Sequence, residues 1–220
     1  MNIVILLYPR FAATDALGPY EILARLPGAR VRFVAAQAGP VTADTGMLTV
    51  LAEAAYPSIE RADVLILPGG PPSAVPVHDE ALLSWVRRID EGSQWTGSVC
   101  TGALLLGAAG LLQGKRATTH WAEHAGLRRF GAQPVAERVV FDGKLVTGAG
   151  VTAGYDMALQ LAARIAGPLV AQAIQLGLEY APEPPFDSGR PDRAPAEVLE
   201  ALMTIMAAEG ESPAATAASR

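Results

Sequence analysis

The sequence predicts an α/β fold: a single domain with a mainly parallel sheet and helices on both faces. Three observations carry that expectation. Short apolar, β-branched runs alternate with longer helical patterns, which argues for parallel strands joined by crossover helices. The runs are almost continuous in apolar residues, as strands covered on both faces require. With 220 residues, half of them apolar and 18% charged, the chain is long enough and apolar enough to bury a large core.

The elements follow in order. Residues 3–7, 31–35, 64–67 and 95–100 read as strands, and 18–25, 79–91 and 101–112 as the helices among them. Residues 139–146 read as a hairpin, because Asp142-Gly143 between two apolar runs suits a tight turn with central residues at positive φ. Helices are then expected over 152–166 and 168–180, the second with Pro168 in its first turn. From Ala181 the pattern breaks into Pro-Glu-Pro-Pro-Phe-Asp-Ser-Gly, and one more helix is expected over 196–208. Residues 209–220 are small and polar and read as disordered. The expected organisation is an α/β domain over 1–195, then a terminal helix and tail over 196–220.

Composition removes several function classes. Lys plus Arg number 17 against 22 Asp plus Glu, a net charge of −5 with no basic run, so no nucleic-acid partner is expected. The amino terminus lacks the basic start of a signal peptide, and no apolar stretch approaches the ~20 residues that cross a bilayer. A cytoplasmic location without membrane contact is the expectation. One cysteine excludes an internal disulfide and a multi-cysteine zinc site, and it suits a reducing compartment.

That cysteine, Cys100, closes an expected strand and opens an expected helix. A nucleophile on such a turn is exposed at the carboxyl edge of the sheet, where open α/β sheets bind ligands. The helix amino terminus would favour thiolate over thiol, and Gly97 and Gly102 would let backbone approach closely. The alternative is a buried structural thiol. Asp15 follows the first strand, so its loop opens on the same edge. It reads either as a helix cap or, paired with the thiol, as a proton carrier. Leu67-Pro68-Gly69-Gly70-Pro71 ends another strand, and its glycine N–H groups would hold an anion unless the segment is a simple turn.

Two further motifs are weaker. In Thr118-Thr119-His120-Trp121-Ala122-Glu123-His124, His120 is either a base for Cys100 or a structural histidine. The segment also fits the H-x-x-E-H zinc pattern, but that needs one helix spanning both histidines and a third ligand, and only His78 remains. Gly148-Ala149-Gly150-Val151-Thr152-Ala153 fits a dinucleotide fingerprint in letters alone: its strand belongs to a hairpin, and no strand follows its helix. A tight turn beside the crevice is the better reading. No metal or organic cofactor is expected.

With these pieces assembled, the chain resembles the ThiJ/PfpI superfamily, of the flavodoxin-like, class I glutamine-amidotransferase-like fold. Ile66-Leu67-Pro68-Gly69-Gly70 and Ser98-Val99-Cys100-Thr101-Gly102 carry that resemblance. Within the superfamily it looks most like the isonitrile (isocyanide) hydratases, through Asp15-Ala16-Leu17-Gly18-Pro19, residues 107–121 and Leu178-Glu179-Tyr180-Ala181-Pro182. The block 107–121 is shared with the ligand-binding domains of AraC-type regulators. The resemblance implies Cys100 as nucleophile, Asp15 as its carboxylate partner, Thr101 beside the thiol, and the N–H groups of Gly70 and Thr101 as an anion pocket. It also implies an isocyanide substrate and a homodimer. One departure is Ala149, where these hydratases carry Gly; it bears on the freedom of the helix that follows. Two alternatives stay open: a ligand-binding module, which would need about 100 further residues of DNA-binding domain, and a redox or stress sensor acting through Cys100.

Overall fold

Residues that alternate between no faces, but are buried on both, form the centre of a seven-stranded sheet. The strands are β1 (Asn2–Leu6), β2 (Arg30–Ala35), β3 (Gly39–Thr42), β4 (Thr49–Ala52), β5 (Ala54–Ala55), β6 (Val64–Leu67), β7 (Trp95–Val99), β8 (Arg116–Ala117), β9 (Gln133–Pro134), β10 (Val139–Asp142) and β11 (Leu145–Gly148). The main sheet runs β10-β11-β7-β6-β1-β2-β5, parallel throughout except for the β10–β11 pair. All four residues of β6 and of β11 are buried, as are four of five in β1. The computed structural model describes residues 1–210 and divides the chain into two compact units, Met1–Leu178 and Glu179–Arg220.

The helices of the first unit are α1 (Ala13–Leu23), α2 (Glu80–Gly92), α3 (Gly102–Ala108), α4 (His124–Arg128), α5 (Ala153–Ala166) and α6 (Pro168–Gly177). Helix α1 packs on α5, which also packs on α6, while α3 contacts α2, α4, β6 and β7. The start of α2 is set by Asp79, whose carboxylate accepts the Leu82 N–H at 3.0 Å. The second unit holds α7 (Ala196–Gly210), preceded by exposed ion pairs Arg190–Asp192 and Arg193–Asp187. Residues 209 and 210 therefore belong to a helix and not to the expected disordered tail; 211–220 lie outside the described residues.

Three differences from the sequence reading have physical causes. Helix α1 starts five residues earlier than expected and runs through Gly18-Pro19. These residues look like breakers, but here they make a close helix contact. A Cβ on Gly18 would lie 3.1 Å from the Tyr155 ring, and one on Gly154 would lie 3.2 Å from Pro19. The hairpin turn has Asp142 paired with Leu145, so its central residues are Gly143 and Lys144. Only Gly143 takes positive φ, at 63°, as a turn with Gly in its first central position requires. Asp142 instead accepts the Arg116 N–H at 2.9 Å and pairs with Lys115 at 3.1 Å. The antiparallel β3–β4 hairpin was not foreseen: its strands are short and mostly exposed, so no apolar run marks them.

The carboxyl ends of β6 and β7 meet at the tightest point of the fold. A Cβ on Gly102 would lie 2.2 Å from the Leu67 carbonyl oxygen and 2.8 Å from the Pro68 carbonyl carbon. Backbone cannot yield as a flexible side chain can, so Gly102→Ala must force the two turns apart. We expect a loss of ~3 kcal/mol, seen as a fall in melting temperature of roughly 10 °C. A melting temperature within 2 °C of the parent, on the order of 1 kcal/mol or less, would contradict this packing.

Candidate active site

Cys100 stands between β7 and α3 with φ at 56°, in the left-handed region. For a residue with a side chain this conformation costs about 1–2 kcal/mol, and it persists only where neighbours hold it. They do so at both ends. The Cys100 N–H is shared between the carbonyls of Gly148 at 3.0 Å and Ala149 at 2.8 Å, and its own carbonyl accepts the Thr119 hydroxyl at 2.8 Å. The result is a sharp elbow that presents the thiol at the carboxyl edge of the sheet.

Asp15 lies in the first turn of α1 and is fully buried. The cap position is Ala12, with no side-chain cap, so Asp15 does not serve its own helix. Its Oδ2 accepts the Gly69 N–H at 2.9 Å, while Oδ1 has no donor within hydrogen-bond reach. Gly69 fits because it has no side chain: a Cβ there would stand 2.5 Å from Thr101 Oγ1 and 2.9 Å from Asp15 Oδ2. Next to it, the Thr101 hydroxyl donates to the Gly70 carbonyl at 2.6 Å, and the Gly70 N–H meets Thr101 Oγ1 at 2.8 Å. The Gly70 N–H therefore faces Thr101, not the open crevice the sequence suggested. The backbone N–H groups of Thr101 and Val151 favour charge on the sulfur.

Thiol and carboxylate perturb one another. Burial pushes Asp15 up to about 7; the Gly69 N–H and the Cys100 thiol pull it down, and the charge of Asp44 adds to the rise. Burial pushes Cys100 up to about 12, helped by the negative charge of Asp15 and opposed by the Thr101 and Val151 N–H groups and the Thr101 side chain. This reverses the direction expected from the helix terminus. Helix α3 has only seven residues, whereas the thiol is 5% exposed and faces a carboxylate. Desolvation and like charge outweigh a short dipole. Burial thus favours a protonated thiol, with the Asp15 carboxyl beside it ionising near neutral pH.

His120 is placed differently. Its Nδ1 accepts the Ala122 N–H at 3.4 Å, its ring packs on Trp121 with centroids 5.4 Å apart, and burial followed by His124 lowers its pKa. His120 precedes a single 3-10 turn, Trp121–Glu123, and only then does α4 begin, so no one helix spans both histidines. Among the described residues no three His, Cys, Asp or Glu side chains stand together as metal ligands.

Sequence reasoning missed three contributors. Tyr8 is buried, donates to the Pro68 carbonyl at 3.0 Å and feels the charges of Asp15, Cys100 and Asp44. Its place just after β1, on the same sheet edge, was the available signal. Thr119 was read only as part of the histidine motif. The Val151 N–H carries no side-chain signature at all.

The sequence pattern of the DJ-1/PfpI family matches residues 1–164. The chain belongs to the DJ-1/PfpI family. Among curated members it is 48% identical over 200 residues to an isonitrile hydratase of Pseudomonas putida, a match covering 91% of this chain and 87% of that one. It is also 33% identical over 175 residues to the HTH-type transcriptional regulator CdhR of Pseudomonas aeruginosa, covering 76% of this chain but 51% of the regulator. A solved ThiJ/PfpI family protein from Pseudomonas syringae superposes with a TM-score of 0.89 at 38% identity, over 94% of this chain and 86% of that one. The mainly parallel sheet is the DJ-1/PfpI fold.

Raising the Asp15 pKa has a signed consequence for stability. The folded state binds this proton more tightly than the unfolded chain, so the contribution of Asp15 to stability is greatest below pH 4 and declines as pH rises from about 4 to about 7. The full penalty, about 4 kcal/mol, applies above that window. Asp15→Asn keeps an oxygen for the Gly69 N–H and removes the charge. We expect the variant to melt several degrees above the parent at pH 8 and to lose most of that advantage by pH 4. Equal offsets at both pH values would contradict a buried, ionising Asp15.

Proposed function

We propose that this protein hydrates an isocyanide to an N-substituted formamide, with Cys100 as nucleophile and Asp15 as proton carrier. The observation that carries the reading is the sharp elbow at Cys100, which sets a buried thiol beside the buried Asp15 carboxylate at the sheet edge. Addition to an isocyanide places sulfur and hydrogen on the same carbon, so a thiol with a carboxylate at hand is the required arrangement. The similarity to the isonitrile hydratase of Pseudomonas putida supports the same substrate class.

In the first half, Asp15 takes the thiol proton as sulfur attacks the terminal carbon, then delivers that proton to the same carbon. The S–H bond breaks, S–C and C–H bonds form, and a thioimidate results. In the second half, the Asp15 carboxylate removes a proton from water, water oxygen adds to the carbon, and the nitrogen is protonated. Collapse breaks the C–S bond, releases the formamide and returns the remaining proton to sulfur through Asp15. One isocyanide and one water are consumed, and no oxidant or metal takes part. Thr101 and the Val151 N–H steady sulfur whenever it carries charge, and Thr101 locks the Gly70 turn against the elbow. A sensor reading asks for an accessible low-pKa thiol, whereas Cys100 is 5% exposed with its pKa pushed up.

We further infer a cytoplasmic homodimer, on the family resemblance; no helix among the described residues is long and apolar enough to cross a membrane. A solution mass of 22.9 kDa, that of a single chain, would remove the dimer.

Mixing the protein with an aryl isocyanide should yield the formamide. Cys100→Ala should abolish turnover, and Asp15→Asn should lower it by ~10²-fold or more, the scale of general acid–base catalysis. Because Asp15 must be ionised to accept the thiol proton, kcat/KM should rise with pH through about 7. Full activity in Asp15→Asn, or a flat profile from pH 5 to pH 8, would overturn the assignment of Asp15.

A further inference from the structure

Resting on the hydratase reading, we propose that His120, Trp121 and Val151 form the wall that receives the organic substituent of the isocyanide and so set which substituents are accepted. The placement follows from three contacts. Thr119, immediately before His120, holds the Cys100 carbonyl at 2.8 Å. The His120 ring lies 3.2 Å from where a Cβ of Gly150 would stand, so this glycine leaves the ring its place. Ala149, immediately before Gly150, accepts the Cys100 N–H at 2.8 Å. The histidine ring is thus tied to the elbow from both sides, one residue away from each tie.

The chemistry of the wall suits the substituent and not the reacting carbon. Trp121 stacks at a tilt on His120 with centroids 5.4 Å apart, and both rings are half-buried; Val151 is 37% exposed. These are apolar surfaces left partly uncovered, next to the His120 ring that stands against the Gly150 segment. His120 contributes its ring to this wall and not its Nδ1, which is occupied by the Ala122 N–H. Burial keeps the imidazole neutral at pH 7. An uncharged, flat or aliphatic group matches such a surface. The thiol and carboxylate are left to the isocyanide carbon. His120 is on this account a specificity residue and not a base.

The test compares phenyl isocyanide with methyl isocyanide on the full-length protein. Trp121→Ala should raise KM for the phenyl compound much more than for the methyl one, lowering the phenyl-to-methyl ratio of kcat/KM by ~10-fold or more. Trp121→Phe, which keeps a ring, should restore most of the ratio. His120→Ala should shift the ratio the same way while leaving the midpoint of the acid limb where Asp15 puts it. An unchanged ratio in Trp121→Ala would overturn the wall, as would an equal fall on both substrates or a moved acid limb in His120→Ala. A parent protein that converts neither isocyanide would instead overturn the hydratase reading itself, a result distinct from conversion with an unchanged ratio.

Discussion

Two backbone turns touch with no side chain between them, and the site depends on that contact. The turn after β6 and the elbow after β7 are close enough that neither Gly69 nor Gly102 could carry even a methyl group. Their approach delivers the Gly69 N–H to Asp15 and joins Gly70 to Thr101 through two hydrogen bonds. Tyr8 and Ala12 fasten the first of these turns to the segment after β1, through the Pro68 carbonyl at 3.0 Å and the Gly69 carbonyl at 2.8 Å. Three strand ends thereby become one rigid body at the carboxyl edge of the sheet. Rigidity of this kind is what lets a carboxylate be buried without an ion partner and still be aimed.

The electrostatics follow from burial more than from any neighbouring charge. Desolvation heads the causes for both Asp15 and Cys100, and each then makes the other harder to ionise. A site built to hold a free thiolate would place a cation near sulfur, but here the nearest perturbing charge is negative. Under the proposed function, such a pair suits a substrate whose carbon must gain both sulfur and hydrogen.

Much of this was legible in the sequence because it follows from chain geometry. Continuous apolar runs marked β1 and β6, a nearly continuous one marked β2, and a lone cysteine between a strand and a helix marked the elbow after β7. Asp15 and the Pro-Gly-Gly turn were legible because each follows a strand on the same edge. What stayed hidden depends on distances in space. Gly18-Pro19 reads as a helix break until α5 is laid against it. The choice of Gly69 over Gly70 as the donor to Asp15 is a matter of which N–H points inward. The direction of the Cys100 pKa turns on how deeply the thiol sits, and a dipole rule applied to the sequence alone gave the wrong sign.

The left-handed backbone at Cys100 sets a conflict between folding and chemistry. Glycine is the one residue that would occupy that conformation without cost, yet glycine has no sulfur. Random drift screened for heat resistance alone would be rewarded for replacing the proposed nucleophile with the residue its backbone prefers. Directed evolution of this scaffold therefore has to score turnover in every round, because thermal ranking on its own selects toward an empty elbow.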